Sequence, residues 1–130
     1  QTSKQVPLAT APLPVEGVSS PPCVQRLEES FTVAAQGISA PKILKLVDAA
    51  GVVHRQVVKG HDDLRQDAVM QQLFRLLNDV FADCPRSQQA ELRMRTFQVV
   101  PLSPCAGIVE WVSGTVTLGE LVTGNSQPAE

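Results

Sequence analysis

Two runs rich in β-branched and other apolar residues, Lys42–Val47 (KILKLV) and Val52–Lys59 (VVHRQVVK), read as strands and flank Asp48-Ala49-Ala50-Gly51. A short Asp- and Gly-bearing turn signal between two strand-like runs marks a hairpin. Phe31-Thr32-Val33 reads as another strand, followed by a loose Ala34–Ala40 connection. The period then changes. Between Asp63 and Asp83, apolar residues fall at Met70, Leu73, Phe74, Leu77, Val80 and Phe81, the spacing of one wide helical stripe. Asp63 is the expected N-cap, with Gln66 completing a capping box, and Pro85 stops the helix. Leu92–Leu102 begins with alternation and ends apolar, Gly107–Val112 (GIVEWV) is a short strand, and Leu118–Val122 suggests a helical turn. Strands, one long helix and more strands predict an antiparallel α+β layer, with about five strands in its sheet.

Residues 1–22 are rich in Pro, Ser, Thr and Ala, which suits a solvated linker. Val6–Val15 also fits a short extended piece at a sheet edge, where proline is tolerated. The folded unit is expected over 23–122, with a flexible tail over 123–130. A length of 130 residues and 43 % hydrophobic content allow one modest core.

A net charge of −2 with mixed signs provides no basic surface for nucleic acid. The three cysteines lack C-x-x-C spacing and read as reduced thiols, while two histidines without a Cys partner at ligand spacing argue against structural zinc. No apolar run reaches membrane-spanning length, and no signal pattern opens the chain. The absence of an initial Met and the soft tail suggest a piece of a longer protein.

Candidate chemistry gathers at Lys59-Gly60-His61-Asp62-Asp63-Leu64-Arg65-Gln66-Asp67. Strand parity puts Lys59 on one face with Val57, Arg55 and Val53. Asp67 points nearly the same way as Phe74 on the helix and borders Met70, so it is expected to face the sheet. A carboxylate so placed needs a cation, and Lys59 is the one at hand. The expectation is a Lys59–Asp67 ion pair, an arrangement that positions phosphate-binding lysines in kinases. A first-turn acid that only favours the helix dipole, and a lysine that snorkels to water, are the plainer alternatives. His54 and His61 are expected at solvent-exposed polar positions, and Arg65 exposed or paired with a nearby acid.

KGHDDLRQDAVMQQLF, TFQVVPLS and GIVEWVSGTV together resemble the amino-terminal kinase lobe of the phosphoinositide-3-kinase-related protein kinases. The D-D-L-R-Q-D core is shared with phosphoinositide lipid kinases; VVPLS with GIVEW is similar to the protein-kinase branch, and DDLRQDAVMQQ with the EW pair to its ataxia-telangiectasia-mutated group. The resemblance is close from Phe31 to Val116 and looser around VPLAT. It implies that the helix is of the αC type. It also implies that Lys59 contacts ATP phosphates, that Asp67 holds the lysine, and that Asp62 lies in the same cluster. Val57 would roof adenine, Phe97 would line the inner wall, and Val109 would precede the hinge. In that hinge, the Glu110 C=O and Val112 N–H would bond adenine while Trp111 packs on its face. Ala35–Ala40 would cover the phosphates, through Gln36 or Ser39 backbone, although Gly37 is its only glycine.

The family's D-R-H-x-x-N and D-F-G strings do not occur in this chain. No catalytic or metal-binding residue is therefore assigned here, and the Mg²⁺ ligands are expected in a second lobe. The resemblance implies ATP as ligand, protein substrates bound through that second lobe, and a nuclear enzyme of DNA-damage signalling that has room for a cytoplasmic pool and a homodimeric state. No direct nucleic-acid or membrane contact is expected of this segment. A phosphoinositide lipid kinase and a non-catalytic scaffold lobe are the competing readings. The E-W hinge argues against the first, the joint presence of Lys59 and Asp67 against the second.

Overall fold

The computed structural model describes residues 6–11, 21–34 and 40–124. Ten elements follow in chain order: β1 (Val6–Pro7), β2 (Cys23–Leu27), β3 (Thr32–Val33), β4 (Lys42–Asp48), β5 (Val53–Gly60), α1 (Arg65–Asp83), α2 (Pro85–Gln89), β6 (Val99–Ser103), β7 (Ala106–Glu110) and α3 (Leu118–Thr123). Among the described residues the strands form one seven-stranded antiparallel sheet, ordered β1-β2-β4-β5-β7-β6, with β3 also paired to β4. The α+β architecture is as expected. β3 falls within the strand expected at Phe31–Val33; the additional strands are β1, two residues long, and β2, whose CVQRL run is mostly exposed and shows no alternation.

The β4–β5 hairpin runs in register from Lys42↔Val58 to Val47↔Val53. Its turn is fastened by Asp48. The Asp48 Oδ1 accepts the N–H groups of Ala50 and Val52 at 2.9 Å each, and Oδ2 meets His54 Nε2 at 2.8 Å. These bonds, that to His54 first, hold the Asp48 carboxyl below the usual carboxylate range. Gly51 adopts φ +82°, a left-handed conformation that favours glycine. His54 is therefore a half-buried turn lock, not the exposed polar residue expected from sequence.

Helix α1 opens at Leu64, not at Asp63. Leu64 is the N-cap and offers no side-chain cap bond, so the expected capping box with Gln66 is not formed. Asp63 Oδ1 instead accepts the Arg65 N–H at 3.1 Å, just outside the helix. The fully buried Leu64 side chain packs on Gly107 of β7. A Cβ there would lie 2.7 Å from both Leu64 Cδ1 and the Val100 carbonyl oxygen, so only glycine admits the helix start.

The helix face against the sheet also differs from the expected apolar stripe. Leu64, Gln71 and Asn78 recur at a seven-residue interval and define the inward line. Gln71 is buried, and its Oε1 accepts the Phe97 N–H at 3.0 Å. Arg75 Nη2 donates to Gln98 Oε1 at 2.9 Å, while Asn78 both donates to the Met94 C=O at 2.8 Å and accepts the Met94 N–H at 2.7 Å. These side chains occupy backbone groups of the Leu92–Gln98 segment, which consequently joins no strand until Val99. Met70, Leu73 and Val80, expected inside, are exposed.

Pro85 does more than end α1. Cys84 turns extended, and Pro85 takes the first position of α2, where its missing N–H costs nothing. At α3, Thr117 and Glu120 form a reciprocal capping box, and Gly124 closes the helix at φ +73°. The edge alternative holds at Val6–Pro7, while residues 12–20 lie outside the described part.

Leu64→Ala should lower stability by about 2–5 kcal/mol, and Gly107→Ala by about 1–3 kcal/mol through overpacking. Denaturant unfolding of each variant checks both; an unchanged midpoint in Gly107→Ala would mean that the close approach is not needed.

Candidate functional site

Lys59 lies near the end of β5, opposite Gly107 in the β5–β7 ladder. Directly paired residues share a sheet face, and alternate residues along one strand return to it. Lys59, Gly107, Val57 and Val109 therefore occupy one face, the face on which Leu64 seats the helix. The pairings Ile43↔Val57, Val57↔Val109 and Val99↔Val109 extend this into an apolar row across four strands. All four members are half-buried. Val57 and Val109 were expected at the site. Ile43 and Val99 were not, although the register follows once the hairpin and the β6–β7 pair are known.

Lys59 Nζ meets Asp62 Oδ2 at 3.2 Å, with both side chains partly exposed. The Asp62 N–H also reaches the Cys105 carbonyl at 3.3 Å, tying this residue to the β6–β7 turn. Asp67 stands exposed in the first turn of α1 and makes no ion pair among the described residues. The structure thus joins Lys59 to Asp62 and not to Asp67. The helix begins later than expected, and its orientation is set by Leu64, Gln71 and Asn78. Asp67 retains the favourable place of an acid at a helix N-terminus.

Asp63 serves Arg65. Arg65 Nη2 donates to Asp63 Oδ2 at 2.6 Å and Arg65 Nε to Asp63 Oδ1 at 2.8 Å, a two-pronged pair on the surface. The guanidinium bonds and then the Arg65 backbone N–H hold the Asp63 carboxyl down to about 2.

The predicted hinge follows directly from β7. Glu110 Oε2 accepts the Gln98 N–H at 2.8 Å, the Trp111 N–H donates to the Arg55 carbonyl at 3.3 Å, and the Val112 carbonyl accepts the Thr115 hydroxyl at 3.2 Å. Trp111 is half-buried, and its indole Nε1 is sealed from solvent without a hydrogen-bond partner. Phe97 is half-buried, with its N–H on Gln71. Gly107 and Trp111 are four residues apart, which along a strand is about 13 Å. Lys59 and the Glu110–Val112 segment therefore flank the apolar row on opposite sides, along the strand direction.

The other sheet face is closed differently. Gln56 and Thr10 are both buried there, and Gln56 Nε2 donates to Thr10 Oγ1 at 2.9 Å. A cavity of about 570 Å³ lies between this N-terminal segment and the hinge, with Leu8, Thr10, His54, Glu110 and Trp111 in its wall. Lys59, Asp62 and Asp67 are not part of it. The expected phosphate-covering loop, with Gln36, Gly37 and Ser39, lies outside the described residues. Among the described residues no group of three or more His, Cys, Asp or Glu side chains is placed to hold a metal ion, and no helix is long and apolar enough to cross a membrane.

The family model for phosphatidylinositol 3- and 4-kinase matches residues 55–127, from β5 through the hinge and beyond α3. This chain belongs to that family. It is 40 % identical over 128 residues to the serine/threonine-protein kinase ATM of Arabidopsis thaliana, which covers 94 % of this chain and 3 % of that protein. The serine/threonine-protein kinase TEL1 of Gibberella zeae is 42 % identical over 105 residues, 80 % of this chain and 4 % of that protein. A solved structure described as the FAT and kinase domain of CtTel1 superposes with TM-score 0.77 at 35 % identity, over 89 % of this chain and 8 % of that one. Within the family, the chain matches the amino-terminal part of the kinase domain of ATM- and TEL1-type kinases. It spans only a few per cent of the length of the curated relatives.

The Asp63 pair gives a pH test with a defined sign. Its carboxyl titrates lower in the folded chain than the ordinary 3.8, so its contribution is present above pH 3.8 and is lost as pH falls towards 2. An NMR titration should place the Asp63 midpoint near 2 and return it towards 3.8 in Arg65→Ala. Equal midpoints in the two proteins would remove the guanidinium as the cause.

Proposed function

We propose that this chain forms the upper wall of an ATP site, with Lys59 at the phosphates and Glu110-Trp111-Val112 at adenine. One observation carries this reading: Lys59, paired with Asp62, and the Glu110–Val112 segment flank the half-buried Ile43–Val57–Val109–Val99 row on opposite sides, separated along the strand direction. A cation, a flat apolar shelf and a strand end that offers backbone groups suit a triphosphate, a purine ring and its hydrogen-bonding edge. Val57 and Val109 form the part of the shelf above the ring, and Phe97 lines its inner wall. Asp62 keeps Lys59 oriented near the phosphates. Asp67 is a second carboxylate that can take over the lysine once phosphates bind and α1 adjusts.

The longer protein is proposed to transfer the γ-phosphoryl group of ATP to Ser or Thr hydroxyls of protein substrates in nuclear DNA-damage signalling, as its resemblance to ATM and TEL1 kinases supports. Mg²⁺ would arrive with the nucleotide and be held by residues of a D-F-G segment, a string absent from this chain. The chain by itself should therefore bind nucleotide without turning it over. A homodimeric parent is in keeping with the CtTel1 neighbour, one structure of which is described as a complete dimer with C2 symmetry.

Isothermal titration of the chain with ATP should give a saturable isotherm that weakens at least tenfold in Lys59→Met, with a smaller loss in Asp62→Asn, in line with the net value of a charge-assisted contact. Unchanged affinity in Lys59→Met would overturn the phosphate assignment. Phosphoryl transfer by the parent to lipid but not to protein would overturn the protein-kinase reading.

A further inference from the structure

The last rung between β7 and the segment entering β6 is irregular, and the irregularity falls at the adenine end of the proposed site. Continuing the β6–β7 register past Val99↔Val109 puts Gln98 opposite Glu110. The Glu110 N–H donates to the Gln98 carbonyl at 2.9 Å. In an antiparallel ladder such a pair exchanges both bonds, so the Gln98 N–H would return to the Glu110 carbonyl. It goes instead to the Glu110 side chain, reaching Oε2 at 2.8 Å. The carboxylate thus takes the donor that its own backbone carbonyl would have received.

The surroundings keep that carbonyl from being closed in another way. The Trp111 N–H faces β5, where it meets the Arg55 carbonyl at 3.3 Å, so the backbone groups of Glu110 face the opposite edge of β7. On that side the chain before Gln98 has turned towards α1. The Phe97 N–H lies on Gln71 Oε1, and Asn78 holds both backbone groups of Met94. Among the described residues no other donor from this segment replaces the Gln98 N–H. Gln98 is itself fixed from the helix, its Oε1 accepting from Arg75 Nη2 at 2.9 Å. A backbone N–H bonded to a carboxylate is charge-assisted and stronger than one bonded to a neutral carbonyl, which favours the exchange of acceptor.

We infer that the Glu110 carboxylate is a positioning group for base selection: by holding the Gln98 N–H, it leaves the Glu110 carbonyl open to the exocyclic amine of a 6-aminopurine. This rests on the nucleotide placement proposed above and adds to it the side chain that secures the base contact. A 6-oxopurine would set a second acceptor against the open carbonyl and is disfavoured. A carbonyl already closed by Gln98 would not distinguish a purine with the amine from one without it.

Isothermal titration with ATP and with purine riboside 5′-triphosphate, which lacks only the amine, tests this in the chain, in Glu110→Ala and in Glu110→Gln. The chain should prefer ATP about three- to tenfold, the net worth of one hydrogen bond. In Glu110→Ala the Gln98 N–H is free to return to the backbone carbonyl, so the preference should vanish through loss of ATP affinity. Glu110→Gln keeps a side-chain oxygen that can accept the N–H and should restore most of the preference. A purely structural role would weaken both nucleotides alike and leave their ratio unchanged. An ATP preference that persists in Glu110→Ala would overturn the inference while leaving nucleotide binding in place. Failure of either nucleotide to bind would overturn both. A nucleotide-free measurement follows the donor itself: NMR scalar coupling across the hydrogen bond should link the Gln98 amide nitrogen to Glu110 Cδ in the chain, and to the backbone carbonyl carbon of position 110 in Glu110→Ala. Coupling to that backbone carbonyl in the unsubstituted chain would overturn the inference.

Discussion

The contact between Leu64 and Gly107 fixes where the long helix meets the sheet, and the chemistry beside it depends on that point. Leu64 is wholly buried, and the other buried hydrophobic side chains among the described residues are only Leu8 and Val47. Because Leu64 is also the helix N-cap, its seat on Gly107 determines the position of everything just before it in the chain. Between Lys59 and Leu64 the chain has four residues in which to leave the sheet and enter the helix. His61 makes the turn at φ 57°, a left-handed conformation that is uncommon for a residue with a Cβ. Asp62 is then caught from two directions, by Lys59 through its carboxylate and by the Cys105 carbonyl through its N–H. This short connection therefore fixes the orientation of the Lys59 ammonium group.

The rotation of the helix is set by polar groups. Apolar packing is non-directional and would tolerate several rotations of α1 about its axis. Gln71, Arg75 and Asn78 bond to the backbone and side chains of the Met94–Gln98 segment, and hydrogen bonds impose distance and angle. Gln71 is buried and satisfied, so its loss would leave the Phe97 N–H without its partner. The same bonds explain why Met94–Phe97 is not a strand despite its alternation: the Met94 and Phe97 backbone groups are taken by Gln71, Arg75 and Asn78 of the helix.

That choice also explains which parts of the molecule were legible in the sequence. The β4–β5 hairpin, the extent of α1 after its first turn and the strand β7 were readable, because each follows from local residue type, spacing or a turn. The strand β2 was not, since CVQRL shows no alternation of apolar and polar residues. The helix face was misread for a physical reason. Its largest apolar residues were assigned to the core, whereas the sheet-facing line is held by Gln71, Arg75 and Asn78, residue types that a hydrophobic pattern places outside. Asp63 and Asp67 were misplaced by the same reading. The cap fell to Leu64, a residue with no capping side chain, because burial on Gly107 outweighs the bond that Asp63 would have given. At the candidate site, Lys59 and Val57 could be put on one face by parity alone, while Val109 needed the β5–β7 register and the Lys59–Asp62 pair the geometry of the turn.

The two apolar surfaces left open by this arrangement differ in shape, and shape decides what each can bind. The Ile43–Val57–Val109–Val99 row is a pleated shelf of β-branched side chains across four strands. The outer line of α1, where Val69, Leu73, Leu76 and Val80 are exposed, is a narrow ridge with helical pitch, which a flat ring would touch at one side chain at a time. Lys59 lies beside the shelf. The shelf belongs to the sheet and the ridge to α1, on the side opposite the Leu64–Gln71–Asn78 line. A molecule bound at one therefore need not touch the other. The rotation set by Gln71, Arg75 and Asn78 turns the ridge away from the sheet and leaves the orientation of the shelf to the strand register.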